Sequence, residues 1–107
     1  AIIAKKGDRG EIPGCVIDGP LALDVAIDME SVKIKKIKSP VAGDADCIVF
    51  PNIESGNVFY KCNSKLSTGV EMAAMVVGAK VPCVLSSRAD SIETKLNSIA
   101  LAALSAK

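Results

Sequence analysis

Hydrophobic positions along this chain fall into short runs and a few helical stripes. Four runs, at 15–17, 47–50, 73–77 and 81–85, are apolar with little alternation. Runs of this length bounded by turn residues predict strands, 15–17 a short buried one and 47–50 one covered on both faces, while Pro82 interrupts the last run. Residues 92–104 have a different period. Ile92, Leu96, Ile99, Ala100, Ala103 and Leu104 recur at helical spacing and form one stripe. Asp90 is the predicted N-cap of this helix, with Glu93 three residues on completing a capping box. Val58, Phe59, Cys62 and Leu66 carry another helix, ending near Ser67-Thr68-Gly69, and Pro51 to Asn57 reads as the polar turn before it. Ala1 to Lys6 fits a helix end closed by Gly7. Leu21, Val25 and Ala26 place a short helix within 21–27. Lys33 to Lys38 alternates Lys and Ile and reads as a solvated segment ahead of the Ser39-Pro40 turn.

Strands interleaved with helices predict an α/β chain with a mixed, mainly parallel sheet flanked by helices. Gly78-Ala79-Lys80 is too short for a parallel crossover, so runs 73–77 and 81–85 either pair antiparallel or diverge into different layers.

The length of 107 residues suits one domain. With 50% hydrophobic residues a core can form. Charge is nearly balanced, at 13 Lys+Arg against 12 Asp+Glu, and there are only two Phe, one Tyr and no Trp. Both facts argue against a nucleic-acid binder. No apolar run reaches transmembrane length, so no membrane partner is expected. The four cysteines are widely spaced and there is no histidine, which argues against a metal site and against a Cys–His nucleophile. Cys15, Cys47 and Cys83 lie in apolar runs and read as small buried hydrophobes, and a reducing cytoplasm is the expected setting. The chain starts without Met, in what reads as the last turns of a helix, and is expected to be a fragment of a longer protein.

Candidate chemistry gathers at the turns. Ser86, Ser87 and Arg88 precede a helix start, where free N–H groups and the helix dipole attract anions. Arg88 offers a planar cation for phosphate or carboxylate, and the serines offer hydroxyls to a developing oxyanion. The competing reading is structural, with Asp90, Ser91 and Glu93 capping a helix beside a solvated Arg88. In α/β sheets ligands sit beyond the carboxyl ends of strands. Asp18, Asn52, Glu54, Asn57 and Lys80 fall at such ends together with the Ser-Arg turn.

The same stretches resemble a known family. Asp18-Gly19-Pro20-Leu21, Gly43-Asp44-Ala45-Asp46 with Pro51-Asn52-Ile53-Glu54-Ser55-Gly56-Asn57, Val77-Gly78-Ala79-Lys80-Val81-Pro82 and Ser87-Arg88-Ala89-Asp90-Ser91 look like signatures of the phosphate acyltransferases, in the same order. That family includes phosphate acetyltransferase and phosphate butyryltransferase, and the Ser-Arg-Ala-Asp-Ser form looks more like the butyryl branch. The resemblance covers nearly the whole chain. It implies a partial isocitrate/isopropylmalate dehydrogenase-like fold, part of a two-domain enzyme about three times this length with its site in the cleft between domains. The chain would be its C-terminal third. Residues 1–80 would come from the second domain, and residues 81–107 would be a strand and C-terminal helix at the cleft.

The resemblance also implies a reaction, exchange of an acyl group between coenzyme A and phosphate. The acyl group would be butyryl or a branched short chain. Coenzyme A thioester would be a substrate rather than a cofactor, no metal would take part, and the enzyme would be a homo-oligomer completed by its N-terminal portion. Ser87 would stabilise the tetrahedral intermediate and Arg88 would hold phosphate or orient substrate. Asn52, Glu54, Asn57, Lys80 and Ser86 would bind substrate. The acetyl enzymes carry a catalytic Asp seven residues after that serine, where this chain has Thr94. Asp90 and Glu93 are the nearby candidates for acid–base work. A second reading is a truncated, non-catalytic structural or interaction segment. A dehydrogenase of the same fold is a third, but nothing here resembles a nicotinamide-binding signature.

Overall fold

The computed structural model describes residues 1–106; Lys107, last of the expected 81–107 segment, lies outside the described residues. Among the described residues five helices form: α1 (Ile2–Asp8), α2 (Leu23–Ile27), α3 (Met29–Lys35), α4 (Ile53–Leu66) and α5 (Ile92–Ser105). The chain divides into two compact units, Ala1–Phe50 and Pro51–Lys107.

The expected sheet does not form. Among the described residues the only β pairing is an isolated antiparallel bridge between Val76 and Cys83. Its Val76 N–H donates to the Cys83 carbonyl at 2.8 Å. The short link does fold residues 73–77 back towards 81–85, but no ladder extends from the bridge. Residues 15–17 and 47–50 are neither helix nor ladder. Their apolar side chains lack the cover that a doubly buried strand requires, with Val16 and Val49 68% and 77% exposed. An α/β architecture with a mainly parallel sheet is therefore corrected to helices joined by irregular segments. The cysteines follow suit: all four are free, Cys15, Cys47 and Cys62 are exposed, and Cys83 is only half-buried.

In the first unit, α1 runs through Gly7 rather than ending there. A side-chain carbon at Gly7 would stand 3.1 Å from Ile17 Cβ, so glycine permits a close approach at that point. Asp28 caps α3, its carboxylate accepting from the Ser31 N–H at 2.8 Å and the Ser31 hydroxyl at 2.6 Å. Lys33 to Lys35 thus belong to a helix, and Lys35 pairs with Asp24 of α2. The Ala42–Ala45 loop returns onto α2, with Gly43 N–H on the Val25 carbonyl (2.8 Å) and Ala45 N–H on the Ala26 carbonyl (3.1 Å). Gly43 has φ +80° and lies against Met29, so the position demands glycine twice over. Val25, Ala26 and Ala42 are the buried hydrophobic core of this unit. Asp18 is held below the usual carboxylate range by the Ser39 hydroxyl and the Gly19 N–H.

In the second unit α4 starts five residues before Val58, inside the stretch expected to be a polar turn. Asn52 is its N-cap, accepting the Ser55 N–H at 2.9 Å, and Glu54 occupies the first turn. On α5 the cap is Ser91, which accepts the Thr94 N–H at 3.0 Å while its hydroxyl meets Thr94 Oγ1 at 3.0 Å. This displaces the expected Asp90–Glu93 capping box by one residue. The buried face of α5 is also not the predicted stripe. Ile92, Leu96, Ile99 and Leu104 are exposed, and Ser98 is the buried residue at 1%. Ser98 Oγ accepts the Ala74 N–H at 3.0 Å and donates to the Thr94 carbonyl at 2.7 Å, which ties the segment before the bridge to the helix.

Candidate active site

The Ser87–Asp90 turn lies within the second unit and closes on itself. Ser87 N–H donates to Asp90 Oδ2 at 2.8 Å, and Asp90 N–H donates to the Ser87 carbonyl at 3.1 Å. Asp90 thus closes the turn and does not cap the helix. Burial first, and then the Asp90 carboxylate through hydrogen bonding and charge, push the Tyr60 phenol of α4 above its ordinary range.

Two lysines of α4 reach the same turn. Lys61 Nζ donates to Ser87 Oγ at 3.3 Å, and Lys65 Nζ donates to the Ala89 carbonyl at 3.0 Å. They are one helical turn apart, so they share a face. From α5, Lys95 Nζ stands 3.5 Å from the Arg88 carbonyl. The Lys61 ammonium also lies 5.1 Å from the Tyr60 ring centre. Ser87 is half-buried and Arg88 exposed. Among the described residues the Arg88 guanidinium has neither an ion pair nor a hydrogen bond, so its planar fork is open to an anion.

The remaining predicted site residues are more scattered. Ser86 is half-buried beside Ser87 in sequence. Glu93 is exposed in the first turn of α5. Asn52, Glu54 and Asn57 cluster at the start of α4, with Asn52 occupied as its cap. Along that helix Lys61 is nine residues from Asn52, about 13 Å at 1.5 Å per residue, but only one turn, about 6 Å, from Asn57. Lys80 is exposed in the link before the bridge. No hydrogen bond or ion pair joins Asn52, Glu54, Asn57 or Lys80 to the Ser-Arg turn among the described residues. Tyr60, Lys61, Lys65 and Lys95 were missed by sequence reasoning. The available signal was the Lys61–Lys65 spacing, a basic face on a helix with a tyrosine beside it. No group of three or more metal-ligating side chains occurs among the described residues.

The Ser87–Asp90 turn thus carries a hydroxyl that accepts from Lys61 and, beside it, an exposed guanidinium. The chain belongs to the phosphate acetyl/butaryl transferase family, whose model matches residues 4–103. It is 53% identical over 104 residues to a phosphate butyryltransferase of Clostridium acetobutylicum, covering 97% of this chain and 34% of that protein. A phosphate acetyltransferase of Thermotoga maritima is 50% identical, with 97% and 35% covered. Among solved structures, a branched-chain phosphotransacylase from Enterococcus faecalis V583 superposes with a TM-score of 0.78 at 36% identity, over 95% of this chain and 39% of that one. The chain spans about a third of the length of the curated relatives it matches.

Proposed function

We propose that this chain is one segment of an acyltransferase that exchanges an acyl group between coenzyme A and phosphate. The observation that carries the reading is the Ser87–Arg88 turn, with an unpaired guanidinium beside a hydroxyl that meets no acceptor among the described residues. In the forward direction a phosphate oxygen attacks the thioester carbonyl, and negative charge develops on the carbonyl oxygen. The carbon–sulfur bond then breaks, and the departing thiolate takes the proton that the attacking hydrogen phosphate gives up, leaving as free coenzyme A. Ser87 donates to the developing oxyanion, and Arg88 holds the phosphate in a forked contact. Asp90 keeps the turn closed. Glu93, with no hydrogen bond or ion pair among the described residues, is the neighbouring carboxylate free to move a proton.

Under this reading the acyl group is butyryl or a branched short chain, supported by the names of the butyryl and branched-chain relatives. Coenzyme A thioester is a substrate, with no resident cofactor. The complete enzyme is a cytoplasmic homo-oligomer, in which residues 1–80 belong to the second domain and 81–107 reach the cleft. Asn52, Glu54, Asn57, Lys80 and Ser86 contact substrate in it. No helix among the described residues is long and apolar enough to cross a membrane.

The test uses the complete reading frame with butyryl-CoA and phosphate, following thioester loss and trapping butyryl phosphate with hydroxylamine. Arg88→Lys keeps the charge but loses the fork, and kcat/KM is expected to fall by about tenfold or more. Wild-type turnover in Arg88→Lys removes Arg88 from the phosphate site. No butyryl phosphate or acetyl phosphate from the wild type overturns the activity itself. A second reading, a segment without activity of its own, is favoured by the one-third span, and it predicts turnover only from the complete frame.

A further inference from the structure

The Ser87 hydroxyl has one proton and two lone pairs. Lys61 Nζ approaches Oγ at 3.3 Å and the Ala89 N–H approaches it at 3.4 Å. Both neighbours are donors, and an ammonium accepts nothing. The two lone pairs are therefore engaged, and among the described residues nothing accepts the hydroxyl proton. One function is left to the oxygen, which is donation. Lys61 is itself held in place: it is half-buried, and its helix is tied to the same turn through Lys65 and the Ala89 carbonyl at 3.0 Å.

We propose that Lys61 is a positioning residue that fixes the Ser87 hydroxyl as a hydrogen-bond donor aimed at the carbonyl oxygen of a bound acyl thioester. The proposal rests on the acyl-transfer reading and names a residue which that reading did not use. Two physical effects follow from the contact. The hydroxyl is confined to a narrow range of orientations, so no rotor search opposes transition-state binding. The adjacent positive charge also draws electron density from Oγ, and a more acidic O–H is a stronger donor to an oxyanion.

Two measurements on the complete enzyme test it. In the first, Ser87→Cys replaces the hydroxyl by a thiol whose acidity reports on its neighbour. Peptide-resolved iodoacetamide labelling, read across pH, follows the introduced thiol apart from the four native cysteines. Adding Lys61→Met to Ser87→Cys is expected to move the labelling midpoint up by about one pH unit, because a thiolate beside an ammonium is stabilised. An unchanged midpoint overturns the contact, whatever reaction the enzyme performs. In the second, Lys61→Met with Ser87 intact is expected to lower kcat by about tenfold or more, with KM for acyl-CoA within about twofold, and Lys61→Arg to recover part of the loss. A normal kcat, or a rise in KM alone, overturns the positioning role. Wild-type enzyme that fails to exchange acyl groups sinks the acyl-transfer reading, and the donor aim with it, while the thiol measurement still decides the Lys61–Ser87 contact.

Discussion

Asp90 and Ser91 are adjacent residues of two types that both cap helices, and the structure separates their tasks. Ser91 takes the N-cap because its hydroxyl reaches the Thr94 N–H, while the Asp90 carboxylate turns back to the Ser87 N–H. From sequence, Asp three residues before Glu is the better capping box, so the pattern favours the wrong member. What could not be read was the competing demand of the Ser87 N–H, which needs an acceptor once the turn closes. Thr94 stands where a carboxylate was expected, and it serves as the third helical residue that the cap binds. Substitutions separate the two tasks in the complete enzyme. Ser91→Ala is expected to cost about 1 kcal/mol of stability and to leave turnover within about twofold. Asp90→Ala leaves the Ser87 N–H without its acceptor and is expected to lower kcat by about tenfold or more, because the donor beside it loses its fixed position. Thermal unfolding and acyl-CoA turnover, measured on both variants, decide this. Normal turnover in Asp90→Ala would show that closing the turn does not matter to the reaction.

At the scale of elements, helices were legible and their partners were not. The period of residues 92–104 located α5, but its exposed apolar stripe and buried Ser98 reverse the face that period assigns to the core. Periodicity states which residues could be covered; it does not state what covers them. The apolar runs misled for the same reason. A run such as 47–50 marks a segment suited to a sheet interior, yet a strand exists only where another backbone supplies the ladder. In α4 the error was local. Asn52 is a good cap residue followed by Glu54, but Pro51 and Gly56 around it favoured a turn. The Ser-Arg turn itself was legible because its residue types are chemical, whereas Lys61 lies 26 positions away and needed the fold to be seen. Ser98 provides the element-scale prediction. Ser98→Ala leaves the Ala74 N–H without its acceptor, next to the Val76–Cys83 bridge. The expected loss is about 1–3 kcal/mol, with faster amide exchange at Ala74 than elsewhere in the second unit. Unchanged exchange at Ala74 would show that the bond does not hold that segment to α5.

For the whole molecule, the balance between covered and uncovered apolar surface sets what the isolated chain can do. Among the described residues only Val25, Ala26 and Ala42 form a buried hydrophobic core, and two of these are alanines. Against them stand exposed large side chains in both units, including Ile2 at 78%, Val77 at 78%, Leu85 at 81% and Ile92 at 87%. Fully burying one Val or Leu contributes about 1.5–3 kcal/mol, while ordering one residue's backbone costs about 1–2 kcal/mol. With so few large residues covered, burial cannot offset the ordering of either unit by a comfortable margin. Surface ion pairs do not close that gap, since Lys5–Asp8, Lys6–Glu11 and Arg9–Glu11 are all well exposed. The 107-residue chain alone is therefore expected to self-associate at micromolar concentration and to bind a hydrophobic dye such as ANS. Sedimentation should give an average mass above the 11.0 kDa of the monomer, falling as the protein is diluted. Heating should produce a broad transition instead of a cooperative one. A monomer with a sharp two-state transition and no dye binding would mean that the exposed Ile, Leu and Val side chains find cover within the chain itself.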